Sequence, residues 1–124
     1  MSNCFSDQKK FMLACEQTVG VMNDSQFKLY LKLIEEEVGE LAEAINKGDK
    51  VESLDALLDI IVVAIGAVHS MNVDGEGAWR EVMGSNLAKI DRQTGKVKLR
   101  EDGKVLKPFD WRKPELEKYI IKGQ

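Results

Sequence analysis

The 124-residue chain contains one histidine, His69, and two cysteines, Cys4 and Cys15. A single imidazole excludes histidine-based catalytic triads and any zinc site that needs several imidazole ligands. The two cysteines lack metal-ligand spacing and are too few for a disulfide framework, so both read as reduced thiols. Basic residues are also in deficit. Lys and Arg total 18 against 21 Asp and Glu, a formal net charge of -3, and the pI is near 5.3, which argues against general binding to nucleic-acid backbone. No apolar run is long enough to span a bilayer, and the amino terminus, Met1-Ser2-Asn3-Cys4-Phe5-Ser6-Asp7, has no basic-then-apolar signal pattern. The expectation is a cytoplasmic protein with no membrane or nucleic-acid partner.

What the chain does have is 44% hydrophobic and 31% charged residues, the balance of a soluble globular protein. The length suits one domain over residues 1–124, with a real core but little bulk to enclose a substrate, so oligomerisation is expected.

Helical periodicity dominates the first ninety residues or so. A first helix is expected from about Ser6 to Thr18 around Phe11, Met12, Leu13, Ala14 and Cys15, with Gly20 as a stop. A second, capped by Asp24 or Ser25, turns Phe27, Leu29, Tyr30, Leu33, Ile34, Leu41, Ala42 and Ile45 inward and ends at Asn46-Lys47-Gly48-Asp49. A third, about Lys50 to Ser70, carries the uncharged run Ile60 to Val68 and is expected to be the most buried element. His69 ends it, where a capping or packing role suits the carbonyl end of the helix dipole. After the break at Asn72 to Gly77, a fourth helix from about Gly77 to Ile90 is expected to turn Trp79, Val82, Met83, Leu87 and Ile90 inward.

Beyond Asp91 the character changes. Gln93-Thr94-Gly95 and Glu101-Asp102-Gly103 are turn sequences, and Val97, Leu99, Val105 and Leu106 alternate with lysines and Arg100, which suggests a short hairpin or basic arm. Pro108 and Pro114 bracket Phe109-Asp110-Trp111-Arg112, and a last short helix is expected after Pro114. The fold class that accommodates these patterns is all-α, a small antiparallel helical bundle with the basic arm near its C-terminus.

Two carboxylate clusters lie on the second and third helices. Glu36 and Glu40 (i, i+4), Glu37 and Glu40 (i, i+3), and Asp55 and Asp59 (i, i+4) each share a helix face. An acidic run alone is usually a solvated face. Here, however, Asp59 opens directly onto the apolar run, and two anions ~4 Å apart at an effective dielectric of ~20 repel by ~4 kcal/mol. A hard divalent cation on oxygen ligands is the simplest counter-charge. Antiparallel packing sets the clusters at one level, since Glu40 lies about two turns before its helix ends and Asp55 to Asp59 begins about two turns into the next.

The motifs resemble those of the all-α nucleoside triphosphate pyrophosphohydrolases, the superfamily of MazG, dimeric dUTPase and phosphoribosyl-ATP pyrophosphatase. Glu36-Glu37-Val38-Gly39-Glu40 matches the family's Glu-Glu-x-x-Glu. Its Glu-x-x-Asp occurs literally as Glu52-Ser53-Leu54-Asp55, but the register that leads straight into the apolar run points to Asp59, where Ala56 departs from the pattern. Ser85-Asn86-Leu87-Ala88-Lys89, Gly95-Lys96-Val97 and the stretch Arg100 to Pro108 resemble the phosphoribosyl-ATP pyrophosphatase-like branch.

That resemblance implies hydrolysis of a nucleoside triphosphate to monophosphate and pyrophosphate with magnesium, manganese being the alternative. It implies Glu37, Glu40 and Asp59 as metal ligands, with Asp55 as a fourth or behind them, and Glu36 to orient or deprotonate the attacking water or to bind a second metal. Asn86 and Lys89 then bind phosphate oxygens, and Lys96, Arg100, Lys104 and Lys107 add charge, simple solubility being the alternative for the arm. Trp111 or Phe109 either stacks on a base or packs the arm against the bundle. The expected assembly is a homodimer or homotetramer. The competing function is a non-catalytic, metal-dependent nucleotide-binding or regulatory module.

Overall fold

The computed structural model describes residues 3–123. They form four α-helices, α1 (Cys4–Ala14), α2 (Asp24–Asn46), α3 (Lys50–His69) and α4 (Gly75–Leu87), and a 3-10 turn at Glu117–Tyr119. The fold is all-α, as the periodicity predicts. The chain divides into two compact units, one running up to Gly75 and taking in the last residues from Ile121, the other Glu76–Ile120.

Helices α1, α2 and α3 each start with a side-chain cap. Asn3 and Ser6 exchange hydrogen bonds with each other's backbone N–H, both 2.9 Å, so α1 begins before the expected Ser6. Asn23 Oδ1 accepts from Gln26 N at 3.2 Å and caps α2, the role expected of Asp24 or Ser25. Asp49 Oδ1 accepts from Glu52 N at 3.0 Å and starts α3. Between α2 and α3, Gly48 takes φ +67, and Asp49 N donates back to Ala44 O at 2.9 Å, closing the helix end in three residues.

So short a turn makes α2 and α3 antiparallel, and α3 packs chiefly on α2 and secondarily on α1. Their register is fixed by Tyr30 and Gly66. The ring lies directly on the glycine, where any Cβ would collide with it. The core gathers Met12, Tyr30 and Ala67, with Val19, Phe27, Leu33, Ile34 and Val63 around them. Beside it, Gln26 Nε2 donates to Thr18 O and to the fully buried Ser70 Oγ, both at 2.8 Å, which ties the loop before α2 to the end of α3. His69 packs as expected: buried at the end of α3, its Nε2 lies 2.8 Å from Phe5 O and its ring meets Phe5 edge-on. Cys4 and Cys15 are free and exposed.

The third helix departs from expectation. Of the run Ile60 to Val68 only Ile65, Gly66 and Ala67 are buried, while Ile61 is 48% exposed and Leu54 and Leu58 exceed half. Within its own unit α3 packs on α2 and α1, and two neighbours cannot surround a helix. For the same reason Leu29 and Ile45 are exposed where the pattern places them inward, and Phe11 and Leu13 of the first apolar cluster are exposed as well.

Helix α4 starts at Gly75, the boundary residue, and ends within the second unit at Leu87, short of the expected Ile90, and Trp79, Leu87 and Ile90 are exposed rather than inward. The arm is a hairpin in outline, joined by a single antiparallel bridge between Leu99 and Val105. The helix expected after Pro114 shrinks to the turn Glu117–Tyr119. Glu81 anchors this stretch on α4. Its carboxylate accepts from Glu115 N at 2.9 Å and lies 3.5 Å from both Lys118 Nζ and Tyr119 Oη.

Candidate functional site

Seven residues after Tyr30 stands Glu37, and seven before Gly66 stands Asp59. Seven residues are close to two helical turns, so the register that seats Tyr30 on Gly66 also brings Glu37 level with Asp59. Glu37 is the most perturbed acid of the chain. Its carboxyl is pushed up to about 7 by burial, then by a hydrogen bond with Glu40 that exists only while one of the pair holds a proton, and then by the charges of Glu40, Asp59 and Asp55. Its Oε2 is buried without a hydrogen-bond partner.

The four acids assigned to a metal from the sequence are therefore electrostatic neighbours around Glu37. Glu36 is exposed one position earlier on α2. Towards the hairpin turn, Glu40 and Asp55 also line an open groove of about 390 Å³ with Glu43, Lys47, Asp49, Glu52 and the small residues Ala44 and Ala56. Glu43 and Glu52 were not expected in the site. The signal for them is their i, i+3 spacing from Glu40 and to Asp55, at the same level of the hairpin. Glu52, the first residue of the literal Glu-x-x-Asp, thus faces this groove, while Ala56 of the other register is buried at its floor.

A buried, unpartnered carboxylate oxygen among like charges has the chemistry of a cation ligand, and the donor set is the hard oxygen that magnesium or manganese takes. Among the described residues, however, no three His, Cys, Asp or Glu side chains are drawn into a ready-made metal-binding group. The acids fit a divalent ion as a set of neighbours whose side chains still have to close on it.

The second unit holds the residues expected to meet phosphate, and it divides them. Lys89 Nζ donates to Asn86 Oδ1 at 3.0 Å and stands 5.1 Å from the centre of the Trp111 ring, with Lys107 Nζ at 4.7 Å. Trp111 Nε1 donates to Ser85 O at 2.7 Å, which fixes the indole against the end of α4. Arg100 is committed elsewhere. Its guanidinium grips Asp102 with both Nε, at 2.9 Å, and Nη2, which holds the Asp102 carboxyl below the usual range and neutralises the charge expected to serve phosphate. Lys96 and Lys104 are exposed on the arm, and Phe109 is fully exposed.

An antiparallel helical hairpin that brings carboxylates of both helices to one level defines a class by its fold: small all-α proteins with a shared acidic level on two helices. Residues 10–86 match the phosphoribosyl-ATP pyrophosphohydrolase family. The chain belongs to that family, within the MazG-like all-α NTP pyrophosphohydrolase superfamily. It is also similar to an uncharacterized protein of Acanthamoeba polyphaga mimivirus, 39% identical over 72 residues, which cover 56% of this chain and 29% of that protein. The chain thus matches less than a third of this relative's length. No described helix is long and apolar enough to cross a membrane.

Proposed function

We propose that this chain is a cytoplasmic nucleotide pyrophosphohydrolase that cleaves a nucleoside or deoxynucleoside triphosphate to the monophosphate and pyrophosphate in the presence of magnesium. The observation that carries the reading is Glu37, a half-buried glutamate whose Oε2 is inaccessible and unpartnered and which has three anionic neighbours, in a family of pyrophosphohydrolases. Glu37, Glu40 and Asp59 hold the ion, with Asp55 beside them. A bound magnesium neutralises phosphate oxygens and lowers the pKa of a coordinated water.

The protein groups divide the remaining work. Glu36, exposed next to Glu37, is the residue to which this reading gives the proton from water. Asn86 and Lys89 offer donors to phosphate, with Lys107 and the arm residues Lys96 and Lys104 adding positive charge; Arg100 can contribute only by leaving Asp102. The working form is a homodimer or homotetramer, because the apolar face of α3 is left exposed among the described residues.

Phosphorus NMR on a panel of nucleoside triphosphates with magnesium tests the reaction, the expected products being monophosphate and pyrophosphate. Glu40→Gln and Asp59→Asn should each abolish turnover while circular dichroism stays that of the parent. Inorganic phosphate as the first product, or full turnover by both variants, overturns the assignment. One observation favours a second reading, a non-catalytic nucleotide-binding module: Ala56 stands where the motif has a carboxylate. Saturable nucleotide binding with no pyrophosphate released from any member of the panel would select it.

A further inference from the structure

The chain leaves its first compact unit after Gly75 and returns to it at Ile121, so the whole of Glu76–Ile120 hangs between two crossing points. Beyond α4 the regular structure of that segment is slight: the bridge between Leu99 and Val105 and the turn Glu117–Tyr119. A segment with so few ladders of its own depends on how its ends are held.

Residues of the first unit hold both ends. At the outgoing end Gly75 is buried, and a Cβ there would stand 2.9 Å from Val68 Cγ1 and 3.3 Å from Phe5 Cε1, so the backbone is wedged against the end of α3 and the start of α1. At the returning end Asn72 grips Ile121 twice. Asn72 O accepts from Ile121 N at 2.7 Å, and Asn72 Nδ2 donates to Ile121 O at 2.9 Å, so one residue meets both the backbone donor and the backbone acceptor of Ile121. Asn72 is itself a fixed post. Two residues before it, Ser70 is fully buried, its O accepts from Asn23 N at 2.9 Å and its Oγ from Gln26 Nε2 at 2.8 Å, while His69 O accepts from Gly20 N at 2.8 Å.

Fixing both ends of a long segment removes chain entropy that a segment tethered at one end keeps. Asn86, Lys89, Lys96, Lys104 and Lys107, the donors given to phosphate, all lie between the two crossing points. We propose that Asn72 is a positioning residue for the nucleotide: by clasping Ile121 it keeps Glu76–Ile120 a closed loop and holds those donors ready for substrate. The inference rests on the pyrophosphohydrolase reading for the task of the donors; the clasp stands on its own hydrogen bonds. About three turns of α3 separate Asp59 from the loop that carries Asn72, so loss of the clasp leaves the chemistry of the acids in place. Apparent affinity, by contrast, falls with the fraction of chains in which the loop is closed.

The test reads the clasp and the substrate separately. Protection of the Ile121 amide, its hydrogen exchange by NMR relative to the intrinsic rate, should fall in Asn72→Ala while the amides of α2 keep theirs. With magnesium and the nucleoside triphosphate that the parent turns over best, Asn72→Ala should raise KM about three- to tenfold, the range of one lost hydrogen bond, and leave kcat within about twofold. Asn72→Asp keeps the shape without the donor and should match Asn72→Ala. Asn72→Cys together with Ile121→Cys, in a chain that also carries Cys4→Ser and Cys15→Ser, replaces the clasp by a disulfide between residues whose main chains the 2.7 Å bond sets side by side. This chain should show the raised KM when reduced and the parent's KM when oxidised by glutathione disulfide.

Unchanged Ile121 protection in Asn72→Ala overturns the clasp, whatever the turnover. Lowered protection with the parent's KM overturns the positioning role, and a fall in kcat that oxidation of the cysteine pair does not restore makes Asn72 merely structural. If the parent releases pyrophosphate from no nucleotide, the hydrolytic reading falls and the same variants are compared by nucleotide Kd. A raised Kd in Asn72→Ala then upholds the inference, and a parental one overturns it.

Discussion

Glu37 carries a free-energy cost that the metal-free chain cannot relieve except by taking a proton. Its carboxyl is pushed up to about 7 in the folded chain, against the ordinary 4.5 expected when unfolded. Between these values the folded chain binds more protons than the unfolded one, so stability is greatest below the lower value and is lost as pH rises through the upper. We expect the thermal midpoint in EDTA to fall between pH 5 and pH 8 by more than it does in Glu37→Gln. Magnesium, which competes with the proton, should raise the midpoint more at pH 8 than at pH 5. Identical pH profiles for parent and Glu37→Gln would show that this carboxyl is not strained. Gly66 poses a different problem at the same scale. A Cβ there collides with the Tyr30 ring, so Gly66→Ala should cost about 1–3 kcal/mol by overpacking. Gly84, in α4, has nothing within 4 Å of a Cβ, and Gly84→Ala should instead gain roughly 0.5–1 kcal/mol. Urea denaturation of both variants decides it, and equal effects would mean that Tyr30 does not set the register.

At the scale of the element, Glu81 shows how one side chain holds a segment with little regular structure. Its carboxyl is lowered by the Glu115 backbone N–H first, then by the charge and hydrogen bond of Lys118 and by Tyr119. A lowered folded value means that this anchoring is present above the ordinary glutamate range and is lost as pH falls through the folded value. The protection of the Glu115 amide, its exchange relative to the intrinsic rate at the same pH, should therefore fall at low pH, and Glu81→Gln should lower it already at pH 7 while the amides of α2 keep theirs. Unchanged Glu115 exchange in the variant would place the anchor elsewhere. The sequence made α2, α3 and their turn legible because each has its own local marks: an apolar stripe, a glycine for the left-handed turn at Gly48, and Asp49 as cap. The level match of Glu37 with Asp59 follows from the same spacing. The Asn23 cap was missed because Asn23, Asp24 and Ser25 are equivalent capping residues by composition. Ion pairing of Arg100 with Asp102 across a turn, and two lysines on Trp111, depend on how an irregular arm folds back, for which no periodicity exists to read.

For the molecule as a whole, the decisive feature is an apolar surface left exposed among the described residues. Val51, Leu54, Leu58 and Ile61 follow one another along α3 at three- and four-residue steps, and all are exposed; on α2, Leu31, Val38 and Ile45 repeat every seven residues and are exposed as well. Stripes of this spacing are helix faces made for burial. At about 25 cal/mol per Å² of apolar surface removed from water, covering them stabilises the chain. A second copy is the simplest cover, since two-fold symmetry sets the same stripe against itself and needs no partner of other origin. We expect light scattering after size exclusion to give a dimer or tetramer of the 13.9 kDa chain at micromolar concentration. Ile61→Lys, which places a charge at the middle of the α3 stripe, should shift the mass to monomer, lower the thermal midpoint and retain helicity by circular dichroism. Leu99→Lys, at an equally exposed apolar position on the arm, should leave the mass unchanged. A parent chain that elutes as a fully active monomer would remove the interface and leave the exposed face of α3 without its explanation.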